Sequence, residues 1–197
     1  MDIKYELAEF LIKSNAIRFG LFKLSSGKSS PYYLDLRIIP SFPSYFKFIV
    51  DALKEKLDKI KGDYLCAIPT SGLVYASALS YASSKPLVYV RKESKEYGTS
   101  KLIEGYLKPG SEIIIIDDVI TSGRSIINTA EIIRRNGAVV NNVITIIDRL
   151  EGGRGALSKI SINLFSLVTI KEIADILYDN NMIDEDIFTT INEQISS

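Results

Sequence analysis

The stretch Glu112 to Ser125, EIIIIDDVITSGRS, restricts what this chain can fold into more tightly than any other segment. Ile113 to Ile116 do not alternate with polar residues, so the strand they predict is buried on both faces, as in a parallel sheet covered by helices. Asp117 and Asp118 end that run. In open α/β sheets ligands bind outside the carboxyl ends of the strands, where adjacent acids are placed to grip a ligand's hydroxyls. Val119, Ile120, Thr121, Ser122, Gly123, Arg124 and Ser125 follow, ahead of helical spacing at Ile126, Ile127, Ala130, Ile132 and Ile133. Such a turn aims backbone N–H groups and hydroxyls at one anion, and Gly123 permits the positive φ or close approach a cradle needs. The same residues also suit an ordinary buried strand followed by a Ser/Thr-capped helix.

Apolar spacing predicts helices over residues 2–18 (Ile3, Leu7, Phe10, Leu11, Ile17) and 44–60 (Phe46, Ile49, Val50, Leu53, Leu57). Short apolar runs at Tyr64–Ile68, Leu87–Val90, Ile113–Ile116 and Val143–Ile147 alternate with helical segments, the order of a mostly parallel α/β sheet flanked by helices. From Leu164 onward a short strand and an amphipathic helix are expected, then a polar tail that adds a last helix or frays. The 197 residues suit a single domain. Lysine plus arginine and aspartate plus glutamate each total 24, so no basic excess points to nucleic acid or an anionic membrane. The lone cysteine, Cys66, reads as a small core residue. No apolar run approaches a bilayer span and MDIKYELAEF is unlike a signal peptide, so a cytoplasmic protein is expected. Without histidine the chain has no Ser-His-Asp or Cys-His mechanism, and chemistry falls to carboxylates, lysine, arginine or the substrate.

The order of four apolar residues, two acids, two apolar residues, then Thr-small-Gly-x-Ser resembles the phosphoribosyl diphosphate signature of type I phosphoribosyltransferases. That resemblance implies that Asp117 and Asp118 hold the ribose hydroxyls and that Thr121 to Ser125 wrap the 5-phosphate. It also implies a single domain with a small amino-terminal hood within residues 1–40 and a flexible lid at about 91–105.

That lid segment, RKESKEYGTSKLIEG, follows the strand PLVYV. Its charge, Gly98 and weak periodicity suit a mobile loop, either simply solvated or with Arg91, Lys92 and Lys95 converging on a polyanion. RKESKEYG resembles the lid of orotate phosphoribosyltransferases, in which an arginine and two lysines embrace the diphosphate, often in the neighbouring subunit; Tyr97 stands where histidine is usual. FGLFKLSSGKSSPYYLD (Phe19 to Asp35) is similar to the orotate-side segment of that family, with Ser25 where some members have lysine. The resemblance implies that Tyr32 and Tyr33 pack on the base and that groups near Ser25 meet its polar edge; by themselves they fit a core-edge strand. PTSGL (Pro69 to Leu73) is similar to the short loop that touches diphosphate, with Ser71 and Gly72. Asp148-Arg149, in DRLEGGRG, reads alone as a surface pair, but the resemblance makes Arg149, with Thr121, the orotate reader.

The implied reaction is magnesium-dependent transfer of phosphoribose from phosphoribosyl diphosphate to orotate, a step of pyrimidine (UMP) biosynthesis. Lys95, Asp117 and Asp118 are its expected catalytic residues. Magnesium is expected to ride on substrate oxygens with no dedicated protein ligand. A homodimer with exchanged lids, and no nucleic-acid or membrane partner, is expected. A purine or uracil phosphoribosyltransferase would share the donor motif without the lid and SGxxSPYY together. A phosphoribosyl diphosphate sensor binding nucleic acid would need a local basic face.

Overall fold

The computed structural model describes residues 2–23, 29–91 and 102–196. Helix α1 (Ile3–Lys13) starts at Asp2, whose carboxylate accepts the Lys4 N–H. It is shorter than its apolar spacing predicts. Ser14 caps it, Asn15 takes φ 56°, and Ile17 instead opens strand β1 (Ile17–Lys23). β1 pairs antiparallel with β2 (Ser29–Leu34), giving a separate two-stranded hairpin. A 3-10 turn (Leu36–Ser41) leads into α2 (Pro43–Leu57), whose first position is a proline, where the missing N–H costs nothing.

The remaining elements alternate as the apolar runs predict: β3 (Tyr64–Ala67), α3 (Ser71–Ser83), β4 (Leu87–Val90), β5 (Ile103–Glu104), β6 (Glu112–Ile120), α4 (Arg124–Arg135), β7 (Val139–Asp148), α5 (Gly153–Ser158), β8 (Asn163–Thr169), α6 (Ile170–Asp179) and α7 (Glu185–Ser196). The six strands lie in the order β5-β4-β3-β6-β7-β8, all parallel except β5. The polar tail is helical: α7 stacks Phe188 on Tyr178 of α6, with ring centres 4.5 Å apart.

Both faces of the sheet are covered, which explains why its strands read as unbroken apolar runs. Ile114 and Ile116 pack with Leu7, Leu53, Leu79 and Ile173 from α1, α2, α3 and α6. Ile113 and Ile115 pack on the other side with Ile126, Ala130 and Leu157 from α4 and α5. Cys66 belongs to this second cluster, and burial pushes its thiol up to about 12, which makes it a core residue rather than a nucleophile. No described helix is long and apolar enough to cross a membrane.

From β3 the chain crosses through α3 to β4 on one side, and from β6 through α4 to β7 on the other. The loops after β3 and β6 therefore diverge, leaving a crevice at the carboxyl ends of neighbouring strands.

Ile115 is fully buried on the central strand. Ile115→Ala is expected to lower unfolding free energy by about 2–5 kcal/mol in denaturant titration. A loss under about 1 kcal/mol would mean that this strand is not the packed centre of the sheet.

Candidate active site

The acids are part of the strand, not of the loop beyond it. Pairing of β6 with β7 continues through Asp117↔Thr145, Val119↔Ile147 and Ile120↔Asp148, so Asp117 and Asp118 are held on a hydrogen-bonded ladder. Asp117 is 9% exposed and Asp118 partly buried. An oxygen of Asp117 accepts the Asp118 N–H at 3.0 Å, and one of Asp118 accepts the Val119 N–H at 3.0 Å. Burial raises the Asp118 carboxyl above the ordinary carboxylate range, and the bonds it makes with Asp117, Val119 and Ser71 offset only part of that.

Past the ladder, Thr121 is half-buried and Ser122, Arg124 and Ser125 face solvent. Gly123 takes φ 77° and caps α4 with no side-chain bond to the helix. The first-turn amides of α4 are thus left to an incoming anion, at the positive end of the helix dipole.

Two glycines let neighbouring segments close on this strand tip. A Cβ on Gly72 would lie 2.8 Å from the Ile116 carbonyl oxygen and 2.9 Å from Asp117 Oδ1, so the loop after β3 is seated directly on the acid pair. The preceding peptide, Pro69-Thr70, is cis, and α3 begins at Ser71 without a side-chain cap bond. A Cβ on Gly153 would lie 2.4 Å from the Thr121 carbonyl oxygen. Nothing in the GGRG run signals that its glycine meets the turn after β6 in space.

Next to the turn stands the arginine. The Arg149 N–H donates to the Ile120 carbonyl at 3.0 Å, which puts Arg149 beside the residue preceding Thr121. Arg149 is buried, and Asp148 pairs with Arg154 instead, at 3.1 Å, so a surface Asp148–Arg149 pair does not form. The guanidinium donates through Nε to Glu151 at 2.8 Å and through Nη2 to Ser30 Oγ at 2.8 Å. It lies over the Tyr32 ring, 4.4 Å from the centre. Tyr32 is completely buried beneath it, and desolvation drives its phenol well above the usual tyrosine range.

Tyr33 is partly exposed and points elsewhere: Arg18 lies 5.1 Å over its ring and Arg37 donates to its hydroxyl at 2.8 Å. Arg91, just after β4, pairs with Glu104 at 3.3 Å while its N–H reaches the Leu102 carbonyl, so Arg91 is tied to the segment that leads into β5. Lys92, Lys95, Tyr97 and Ser25 lie outside the described residues.

A doubly covered parallel sheet whose switch-point crevice holds an acid pair and an amide-lined turn is the architecture of a phosphoribosyltransferase. Consistent with this, the phosphoribosyl transferase domain family matches residues 43–178, which leaves α1, the hairpin and α7 outside the matched range. The chain is 41% identical over 186 residues to the orotate phosphoribosyltransferase of Cenarchaeum symbiosum, covering 92% of this chain and 93% of that one. It is 39% identical over 177 residues to the enzyme of that name from Methanocaldococcus jannaschii, covering 88% and 98%. Among solved structures it is similar to the orotate phosphoribosyltransferase of Aeropyrum pernix, with TM-score 0.75, 33% identity and coverage of 89% and 99%. It also superimposes on Leishmania donovani UMP synthase with TM-score 0.89 and 29% identity over 98% of its own length, but spans only 42% of that chain. The chain belongs to the orotate phosphoribosyltransferase family.

Two expectations follow from this geometry. Gly153→Ala forces Thr121 to shift; overpacking should cost about 1–3 kcal/mol, with weaker binding of phosphoribosyl diphosphate. Unchanged donor affinity in a folded Gly153→Ala protein would separate that contact from the site. Asp118 has its pKa raised by folding, so its ionised form is a stability cost that vanishes as pH falls below that pKa. Asp118→Asn should therefore raise Tm near neutral pH, with the gap closing on acidification. A Tm lowered at neutral pH would contradict this.

Proposed function

We propose that this chain transfers the 5-phosphoribosyl group from phosphoribosyl diphosphate to orotate, giving orotidine 5'-monophosphate and diphosphate for UMP synthesis. The observation that carries this reading is the convergence at the carboxyl end of the sheet of an acid pair, an uncapped amide turn and a buried arginine. The family names of the relatives above support the choice of base.

Bonding changes are few: a ring nitrogen of orotate bonds to the anomeric carbon as the bond to diphosphate breaks, and the nitrogen's proton is released. Charge develops on the leaving oxygens and on an oxocarbenium-like ribose, so catalysis rests on positioning and electrostatics. Asp117 and Asp118 fix the sugar hydroxyls and favour positive charge on the ring. Thr121 to Ser125, with Val119 and Ile120 as their base, hold the 5-phosphate. Ser71 and Gly72 offer backbone N–H groups to the diphosphate, and Arg91, Lys92 and Lys95 neutralise it, with Tyr97 as a hydroxyl donor. Arg149 and Thr121 read the base, with Tyr32 supporting the arginine and Tyr33 and Ser25 near the hood. When bound, magnesium supplies further positive charge to the departing diphosphate. Such an ion keeps most of its shell from substrate oxygens and water, so no protein side chain is assigned to it.

A homodimer with lids reaching the neighbouring site, and a cytoplasmic location, complete the proposal. Exposed Val74 and Tyr81 on α3, with Tyr106 beyond β5, are consistent with a partner surface.

The test is release of diphosphate from phosphoribosyl diphosphate and magnesium, dependent on orotate and not on adenine or uracil. Arg149→Lys keeps the charge but loses the paired N–H geometry, and should raise the orotate KM about tenfold while sparing the donor KM. Release that ignores the added base, or an Arg149→Lys enzyme with unchanged orotate KM, would reject the assignment.

A further inference from the structure

The network around Arg149 contains an acid that no part of the reaction scheme uses. Glu151 and Arg149 bury an ion pair, with 9% and 6% of their side chains exposed. An arginine that only needed charge compensation could be left at the surface; this one is held from three directions. Glu151 takes Nε at 2.8 Å, Ser30 takes Nη2 at 2.8 Å, and the Tyr32 ring closes one face at 4.4 Å. Each holder is itself held. Ser30 donates its hydroxyl proton to the Tyr32 carbonyl at 2.7 Å, which turns its lone pairs toward the guanidinium. The Tyr32 hydroxyl lies 3.4 Å from Glu151 Oε1. Leu150 takes φ 59° and donates its N–H to Asp148 at 2.9 Å, a turn that brings the side chains of residues 149 and 151 together. Glu151 and Ser30 take Nε and one N–H of Nη2. A guanidinium carries five N–H donors, so it has donors beyond those two to offer a planar carboxylate, which can take two parallel bonds.

We propose that Glu151 is the positioning residue that aims Arg149 at the carboxylate of the base, acting with Ser30 and Tyr32. This rests on the orotate reading above and deepens it. By occupying the side edge of the guanidinium, Glu151 fixes which edge meets substrate; without it a buried arginine keeps its charge and loses its direction.

Steady-state kinetics on the full chain decide the matter, with Glu151→Ala, Glu151→Gln and Ser30→Ala compared with wild type. Glu151→Ala should raise the orotate KM about tenfold, with kcat and the phosphoribosyl diphosphate KM within about twofold. Glu151→Gln, whose amide oxygen still accepts from Nε, should recover part of the loss. Ser30→Ala, a smaller change that removes the Nη2 acceptor, should show the same orotate-only rise and carries the test if Glu151→Ala fails to fold. A rise shared equally by both substrates, or no rise in Ser30→Ala and Glu151→Gln, would overturn the proposal. If Arg149→Lys raises the orotate KM while these variants do not, the positioning role fails and the orotate reading stands. A wild-type enzyme indifferent to orotate would instead overturn both.

Discussion

Pairing between β6 and β7 is the constraint on which the rest of the site depends. From Ile114 it keeps one register to Ile120 and Asp148, and one more bond, from the Arg149 N–H to the Ile120 carbonyl, ties the next segment to it. The acid pair, the turn from Thr121 to Ser125 and the buried Arg149 thus hang from adjacent ends of one ladder. Groups on strands are placed more firmly than groups on loops, and transition-state electrostatics depends on such placement. Gly72 and Gly153 extend the same rigidity outward by letting the first turns of α3 and α5 pack closely against the end of β6.

Among the described residues, two charges at the site are constrained by their surroundings, those of Asp118 and Arg149. Burial makes the ionised form of Asp118 costly, and its bonds with Asp117, Val119 and Ser71 offset only part of that cost. Arg149 meets its compensation in Glu151 before any substrate arrives. With no histidine in the chain, no imidazole adds a titrating group to this site.

Much of this was legible in the sequence where physics is local. Four isoleucines in a row announce burial on both faces, and the acids and small residues after them announce where the strand ends and α4 begins. Other features needed the third dimension. Ile17 continues the apolar spacing of α1, yet the chain turns at Asn15 and gives it to the hairpin. Tyr32 reads as a platform for a base, whereas burial makes it the floor under Arg149. Glu151 sits in a charged, glycine-rich run that suggests surface, and only tertiary packing reveals it as the partner of a buried arginine. The contact of Gly153 with Thr121 joins residues 32 positions apart, beyond the reach of any periodicity.

The central claim, that the tip of β6 and the turn after it clasp a phosphorylated sugar, is tested most directly by calorimetric titration of phosphoribosyl diphosphate with magnesium into the folded chain. The account predicts saturable uptake that disappears when Asp117 and Asp118 are both replaced by asparagine in a protein that remains folded. Absence of saturable uptake by the unaltered chain, or equal uptake after the double replacement, would contradict it.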